Sequence, residues 1–188
     1  MTVSAKARFR QGDHVCAVYE TYEEQLRVAV HFITEGLGCG ERCLFAGYSA
    51  QHLADFCERL AAGGVDAQRE TERGALLLLT KEQAHLIDGS FDSERMLSML
   101  NNAVEQALND GYAGLRTCRD MTWLLDDPPG STQVTEYEAL VTAMFKSVRA
   151  VAMCQYDRAR LPPNVLANAY ATHPTVMVGD DGRHRRHS

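Results

Sequence analysis

Charged, amide and aromatic residues follow three apolar segments of the chain, and their types suit the recognition of a small molecule. A small-molecule site usually combines apolar or aromatic walls with a few convergent polar groups. If the three segments are neighbouring strands, their polar ends line one crevice. The candidate ligand-binding residues are Tyr19, Glu20, Arg119, Asp120, Trp123, Gln155, Tyr156, Asp157 and Arg158.

Simple ion pairing is an alternative interpretation of the same residues. Asp120 would pair with Arg119 and close a strand end against a loop. Asp157 and Arg158 would form a second such pair. The grouping on three strand ends favours the crevice, and we expect Trp123, the only tryptophan, to lie next to Asp120 and to face the segment QYDR.

The segment from Glu20 to Glu24 occupies the position where a nucleotide-binding domain would carry a glycine-rich phosphate loop. It reads ETYEE and contains no glycine and no lysine. Negative charge suits the start of a helix because it complements the helix dipole. The same charge would repel a triphosphate, so we expect no phosphate cradle at this turn.

The chain lacks the short motifs of hydrolases, zinc peptidases and nucleotide-binding loops. We therefore predict no catalytic residue, no metal ligand and no cofactor. His14 precedes the first strand and His173 precedes Pro174, so the two histidines could meet in space. A structural role is the more common one for a histidine near a strand start.

Three of the six cysteines, Cys16, Cys118 and Cys154, lie within apolar segments. Cysteine in such positions usually packs as a small apolar residue. The alternative is one metal or redox site shared by the three thiols, with His14 as a further ligand. The spacing of Cys39 and Cys43 without a second pair is a weak zinc signal.

Length and charge narrow the class of protein. The 188 residues suit one domain, and the net charge of −6 argues against a nucleic-acid binder. No apolar run is long enough to span a membrane, and the N-terminus lacks the apolar middle of a signal peptide. We expect a cytoplasmic protein with reduced thiols, no direct contact with nucleic acid and no membrane association.

Hydrophobic periodicity alternates between strands and helices along the chain. Predicted helices cover residues 23–37, 50–62, 93–109 (with Asp92 as the N-cap) and 132–149, and a last short helix covers PPNVLANAYAT. The predicted strands are HVCAVYE, RCLFAGY, GALLLLT, GLRTCRDM, AVAMCQYD and TVMVG.

This alternation predicts an α/β fold, a three-layer sandwich with a mostly parallel central sheet and helices on both faces. Ligands of such sheets bind at the carboxyl ends of the strands. We expect residues 1–10 to be an N-terminal extension, residues 11–179 to form the domain, and residues 180–188 to be a disordered basic tail.

With these elements placed, the chain resembles the MEDS sensory domain, the methanogen/methylotroph DcmR-type input domain of prokaryotic signalling proteins. The resemblance spans about residues 11–179 and rests on the segments GDHVCAVYETYEEQL, GLGCGERCLF, GYAGLRTCRDMTWLL, YEALV and CQYDRARLPPNVLANAYATHP. The family more often has Gly-Glu-Met before the tryptophan, where this chain has Arg119-Asp120-Met121.

The resemblance implies a RecA/KaiC-like fold with a degenerate phosphate-binding loop. It further implies the sensing of small molecules, such as simple hydrocarbon derivatives, and a partner that is a kinase, an anti-sigma-type protein or a transcription regulator. Positions that match the family's characteristic residues are His14, Tyr19, Glu20, Arg42, Asp120, Trp123, Tyr137, Gln155, Tyr156, Asp157, Arg158 and His173.

The sequence therefore predicts a non-enzymatic sensory domain that binds a small molecule and acts through a partner protein. It is either a standalone sensor or a sensory fragment, and a homodimer is plausible. A divergent ATPase in which Asp120 holds a metal ion is a second hypothesis, although phosphoryl transfer needs a Lys, Arg or metal cradle. A cysteine-based metal or redox sensor is a third hypothesis, and a pure protein-interaction module is a fourth.

Overall fold

The chain alternates strands and helices through the 9–179 and 183–186 ranges, which are the residues that the computed structural model describes. The strands are β1 (His14–Tyr19), β2 (Arg42–Gly47), β3 (Leu76–Thr80), β4 (Leu115–Asp120), β5 (Ala150–Asp157), β6 (Thr175–Val178) and β7 (Arg183–Arg186). The helices are α1 (Tyr22–Gly38), α2 (Ala50–Ala62), α3 (Ala67–Glu72), α4 (Lys81–Ala84), α5 (Ser93–Asn109), α6 (Val134–Phe145) and α7 (Pro163–Thr172). Short 3₁₀ segments cover Ile87–Gly89, Thr122–Asp126 and Ser131–Gln133.

The described strands form one sheet in the order β3-β2-β4-β5-β1-β6-β7. All neighbours are parallel except β6 and β7, which are antiparallel. The carboxyl ends of β1, β2, β4 and β5 therefore meet at one edge. This confirms the predicted α/β fold with a mostly parallel sheet.

Side chains that alternate along the strands supply two separate apolar layers. Val15 and Ala17 of β1 pack with α1 and α2, whereas Cys16 and Val18 pack with α5, α6 and α7. We call these two sides the α1/α2 face and the α5/α6/α7 face. The three-layer prediction is confirmed, since both faces of the sheet carry helices.

Polar side chains fix where several helices begin. Thr21 caps α1, Ser49 caps α2, and Asp92 caps α5 by accepting a hydrogen bond from the backbone N–H of Arg95. The prediction of Asp92 as an N-cap is thus confirmed.

Some predicted bounds differ from the structure. The helix expected over 132–149 is shorter, because a 3₁₀ turn follows the Pro128-Pro129-Gly130 loop and the helix ends at Phe145. The polar stretch before β3 contains the helix α3, capped by Asp66, which the sequence pattern does not predict.

The C-terminal segment also differs from the prediction. Residues 183–186 lie in the expected disordered tail, but they pair with the free edge of β6 as a strand. Residues 1–8, 180–182 and 187–188 lie outside the described residues. In the described part of the chain, no helix has the length and apolar character needed to cross a membrane.

Candidate ligand crevice at the carboxyl edge of the sheet

A crevice of about 390 Å³ opens at the carboxyl edge, on the α1/α2 face. It lies where β1, β2, β4 and β5 end and where α1 and α2 begin. Its lining residues are Tyr19, Tyr22, Gln25, Tyr48, Ser49, Gln51, His52, Asp120, Thr122, Asp157 and Arg160. The position agrees with the general rule for ligand sites in parallel sheets.

The turn between β1 and α1 uses its acidic residues to close its own helix. The hydroxyl of Thr21 accepts a hydrogen bond from the N–H of Glu24, and the carboxylate of Glu24 accepts one from the N–H of Glu20, at 2.9 Å. Glu23 forms an ion pair with Arg59 of α2. Side chains thus occupy backbone donors that a phosphate loop would offer to a nucleotide.

Two buried carboxylates form the floor of the crevice. Oδ1 of Asp120 accepts hydrogen bonds from the N–H and the hydroxyl of Thr122, at 2.9 and 2.8 Å. Oδ1 of Asp157 accepts hydrogen bonds from the N–H groups of Ala159 and Arg160, at 2.9 and 3.1 Å. Each carboxylate therefore orders the loop that follows its strand.

The crevice also contains two buried nitrogen donors that lack a partner. Nε2 of Gln25 and Nε2 of His52 make no hydrogen bond within the described residues. Nδ1 of His52 accepts the N–H of Tyr48 at 3.1 Å, which places the ring proton on Nε2. Nδ1 also lies 3.3 Å from Oδ2 of Asp120, but in this tautomer that contact is not a hydrogen bond. Because a buried donor without a partner is costly, both atoms favour a ligand that accepts hydrogen bonds.

Phenol rings form the walls of the crevice. Tyr19 is buried, and burial, assisted by the charges of Asp120 and Asp157, raises the pKa of its hydroxyl. Tyr48 hydrogen-bonds to Asp126, at 3.0 Å. The exposed Arg160 is a cation at the rim. With two buried carboxylates in its lining, the crevice suits a neutral or cationic ligand.

Strand alternation separates the predicted site residues into two groups. Tyr19, Asp120 and Asp157 line the crevice together. Gln155 points to the same face, but its amide is buried and donates to the backbone oxygen of Gln25 at 3.0 Å. The expected single crevice therefore contains only part of the predicted set.

Arg119 and Tyr156 point to the α5/α6/α7 face instead. The guanidinium of Arg119 donates to the hydroxyl of Tyr137 on α6, at 3.0 Å, and Tyr156 packs in the apolar layer of that face. Each precedes a crevice residue by one position, and adjacent side chains of a strand point to opposite faces.

Trp123 does not line the crevice; it lies in the same apolar layer as Tyr156 of the segment QYDR. Trp123 lies in the 3₁₀ segment that follows β4 and is fully buried. Its ring stacks between His85 and Phe91, with centroid distances of 5.2 and 5.3 Å. It is therefore a core residue of the α5/α6/α7 face.

The two ion pairs considered within strand ends do not form among the described residues. Arg158 pairs with Glu20, at 3.2 Å, and both side chains are exposed at the rim of the sheet. Asp120 and Asp157 instead accept hydrogen bonds from backbone N–H groups and, for Asp120, from a hydroxyl. Arg42 lies at the opposite edge of the sheet, where it pairs with Asp110 at 2.7 Å.

His14 and His173 do meet in space, with ring centroids 4.0 Å apart. They lie on the α5/α6/α7 face with Cys154 and Glu138. Cys16 is the register partner of Cys154 on this face, but Cys118 packs in the α1/α2 layer. The three cysteines therefore do not form the shared site that a metal or redox sensor built on all three would require.

Sequence reasoning missed the crevice residues that helices and loops supply. Gln25 and His52 follow strand ends by several positions and sit among helix-forming residues, whereas Tyr48 is the last residue of the predicted strand RCLFAGY. They could have been identified from the rule that helices following parallel strands begin at the carboxyl edge of the sheet, where ligands bind. The sequence gives no reason to assign Glu138 to a site, since it is an acidic residue among apolar ones in the middle of α6.

The chain is similar to one described family and to one named regulator. Residues 13–174 match the family described as MEDS, the MEthanogen/methylotroph, DcmR Sensory domain. The transcriptional repressor DcmR of Methylorubrum extorquens is 25% identical over 146 residues, which cover 77% of this chain and 52% of that protein. The chain thus spans about half the length of the curated relative that it matches.

A solved structure supports the architecture. The flagellar accessory protein FlaH from Methanocaldococcus jannaschii aligns with a TM-score of 0.62 and 12% identity, over 90% of this chain and 72% of that chain. At this identity the likeness shows the fold alone, and it agrees with the predicted α/β architecture.

Proposed function

Because the chain belongs to the MEDS family of sensory domains, we propose that it is a non-enzymatic input domain that binds a small molecule in the crevice. The family match and the likeness to a transcriptional repressor support a sensory and regulatory role. The observation that carries the choice of site is the pair of buried, unpartnered donors, Gln25 Nε2 and His52 Nε2, in a crevice at the carboxyl edge.

The chemistry of the crevice defines the class of ligand. The ligand carries an acceptor for the two donors, and its apolar part lies against the phenol rings of Tyr19, Tyr22 and Tyr48. The buried carboxylates select against anions. A short organic molecule with a neutral or cationic polar end, such as an alcohol, amide or amine, meets these conditions, and it belongs with the simple hydrocarbon derivatives that the family resemblance implies.

The same features argue against a nucleotide. A triphosphate at the carboxyl end of β1 would meet the carboxylates of Glu20, Glu24 and Asp120, while the start of α1 is capped by its own side chains. Phosphoryl transfer depends on positive groups or metal ions around the phosphates. Arg160 is the cation that lines this crevice among the described residues.

We further propose that the signal passes to a regulatory partner, such as a kinase, an anti-sigma-type protein or a transcription regulator. The named relative is itself a repressor, and this chain covers about half of it. Light scattering with and without ligand would show whether a homodimer forms and whether the ligand changes it.

Calorimetric titration with magnesium and ATP tests the non-enzymatic assignment. We expect no heat of binding at micromolar protein and no phosphate release. Micromolar ATP binding with measurable hydrolysis would overturn the proposal in favour of a divergent ATPase.

A panel of short alcohols, amides and amines, followed by thermal shift and then by calorimetry, tests the ligand class. Gln25→Leu and His52→Phe should each weaken binding by about tenfold, because each removes a donor to a buried acceptor. Gln106→Leu, an exposed position on α5, is the matched control and should leave the affinity unchanged. Equal affinities in the Gln25 and Gln106 variants would contradict the assignment of the crevice.

A further inference from the structure

Four buried side chains converge on the α5/α6/α7 face, and none of them is needed for the crevice. They are His14, Glu138, Cys154 and His173, and one ligand atom from each lies within 4.8 Å of the others. We propose that these four residues bind one divalent transition-metal ion of the zinc class, through two nitrogens, one oxygen and one sulfur.

Four of the six distances between the ligand atoms are close to those around a tetrahedral ion. Oε2 of Glu138 lies 3.0 Å from Nε2 of His14 and 3.5 Å from Nε2 of His173. Sγ of Cys154 lies 3.6 Å from Nε2 of His14 and 3.7 Å from Oε2 of Glu138. Zinc bonds of about 2.0–2.3 Å give a tetrahedron with edges of roughly 3.3–3.6 Å. The other two pairs, both with His173, lie within 4.8 Å, so closing such a tetrahedron needs a shift of up to about 1 Å at His173.

Hydrogen bonds on the far side of each imidazole turn its free lone pair toward Glu138. The hydroxyl of Thr142 donates to the backbone oxygen of Thr172 at 2.8 Å, so it accepts the Nδ1 proton of His14 at 2.7 Å. Nδ1 of His173 donates to the backbone oxygen of Ala169 at 2.8 Å. Both Nε2 atoms then present lone pairs to Glu138, whose pKa is raised by burial, and a cation between them would stabilise its carboxylate form. Such partners are typical of histidines that bind metals.

A small void and a larger cavity border the cluster. The void, of about 10 Å³, is lined by His14, Glu138, Cys154 and Arg119, but not by His173. Glu138 also lines a cavity of about 340 Å³ between α6 and α7, which connects the cluster with solvent. A metal site needs an entry path of this kind.

The protonation states are compatible with metal binding. Burial lowers the pKa of His14 to about 3 and that of His173 to about 3, so both imidazoles are neutral, as ligands must be. Burial and the carboxylate of Glu138 raise the pKa of the Cys154 thiol. When the ion binds, the S–H bond breaks, a metal–sulfur bond forms and the proton leaves to solvent. The thiolate and the Glu138 carboxylate then balance the two positive charges of the ion.

Four protein ligands make this a closed site, which is the usual form of a structural zinc centre. It would tie β1, β5, α6 and the residue after α7 together. The site is independent of the crevice, so the failure of one proposal leaves the other intact.

Cobalt and zinc titrations of the chelator-treated full chain test the proposal. We expect uptake of one equivalent of Co²⁺, with the visible bands of a tetrahedral ion and a thiolate-to-cobalt charge-transfer band, and displacement by one equivalent of Zn²⁺. Cys154→Ser should abolish the charge-transfer band. Cys118→Ser is the matched control, because it removes an equally buried thiol from the opposite face of the sheet. The band should persist in that variant.

Two further measurements keep the test decisive if Cys154→Ser fails to fold. Thr142→Val removes only the hydroxyl that orients His14, and it should weaken zinc binding by about 10–100-fold. X-ray absorption of the zinc-loaded wild type should show one sulfur and three nitrogen or oxygen ligands. A sulfur-free shell, a charge-transfer band that survives Cys154→Ser, or the absence of stoichiometric uptake would each overturn the proposal.

Discussion

His85 offers a direct test of how the buried core responds to acid. Its imidazole follows α4, is buried and stacks on Trp123, and neither ring nitrogen has a hydrogen-bond partner within the described residues. Burial, assisted by the positive charge of Arg119, lowers the pKa of His85 well below its ordinary value. The folded protein therefore keeps this imidazole neutral under conditions where the unfolded chain protonates it.

The magnitude follows from proton linkage. An unfolded histidine titrates near pH 6.5, so below that pH the unfolded state binds one more proton than the folded state. The free energy of unfolding therefore decreases as the pH falls through about 6.5. The decrease is about 1.4 kcal/mol between about pH 7.5 and about pH 5.5. His85→Phe keeps an aromatic ring against Trp123 and removes this loss.

Urea titrations at the two pH values, followed by the emission of Trp123, provide the measurement. Because Trp123 is the only tryptophan, its emission reports the stack itself. As the pH falls, the free energy of unfolding should decrease by about 1.4 kcal/mol more in the wild type than in His85→Phe. Any packing cost of the larger ring is the same at both pH values and cancels in this comparison. His31→Phe, at an exposed position on α1, is the control. Parallel pH profiles for the wild type and His85→Phe would refute the reasoning.

Three further predictions concern ion pairs and packing. Arg116→Met should lower the free energy of unfolding by about 3–5 kcal/mol in urea, because it leaves Glu41 buried without the guanidinium that lies 2.5 Å away. Adding Glu41→Gln should recover part of that loss. Gly36→Ala should lower the melting temperature, at a cost of about 1–3 kcal/mol, because the new Cβ would lie 2.5 Å from Cδ of Arg116. Arg158→Ala should change stability by less than about 1 kcal/mol, since its ion pair with Glu20 is exposed, and a collapse of the melting temperature would contradict this.

The fold was predictable because its signals are local and repeated. Apolar runs such as HVCAVYE predict strands buried on both faces, and the helices between them carry apolar stripes. Asp92 could be identified as an N-cap because capping depends on the residues of one turn. The shorter α6 was not predictable from its apolar stripe, because the 3₁₀ turn after Gly130 depends on how the preceding loop packs.

The site was harder to predict, because its geometry depends on which face each side chain takes. Arg119 and Asp120 are adjacent in sequence and looked like one polar group, yet they serve opposite faces of the sheet. Successive side chains of a strand point to opposite faces of the sheet, and this alternation continues to the last residue of each strand. Trp123 lies beyond the strand, where this alternation stops and a 3₁₀ turn carries the ring into the core.

Strand β5 shows how one short segment can serve two chemistries. Cys154 and Tyr156 point to the α5/α6/α7 face, and Gln155 and Asp157 point to the α1/α2 face. The proposed metal ligands and the crevice thus share a backbone but no side chain. Cys154→Ser changes only the first face, so binding that depends on Gln25 in the crevice should survive it. If that binding were lost, the substitution would have displaced the β5 backbone, since the side-chain contacts of Cys154 with His14 and Glu138 lie on the face away from the crevice.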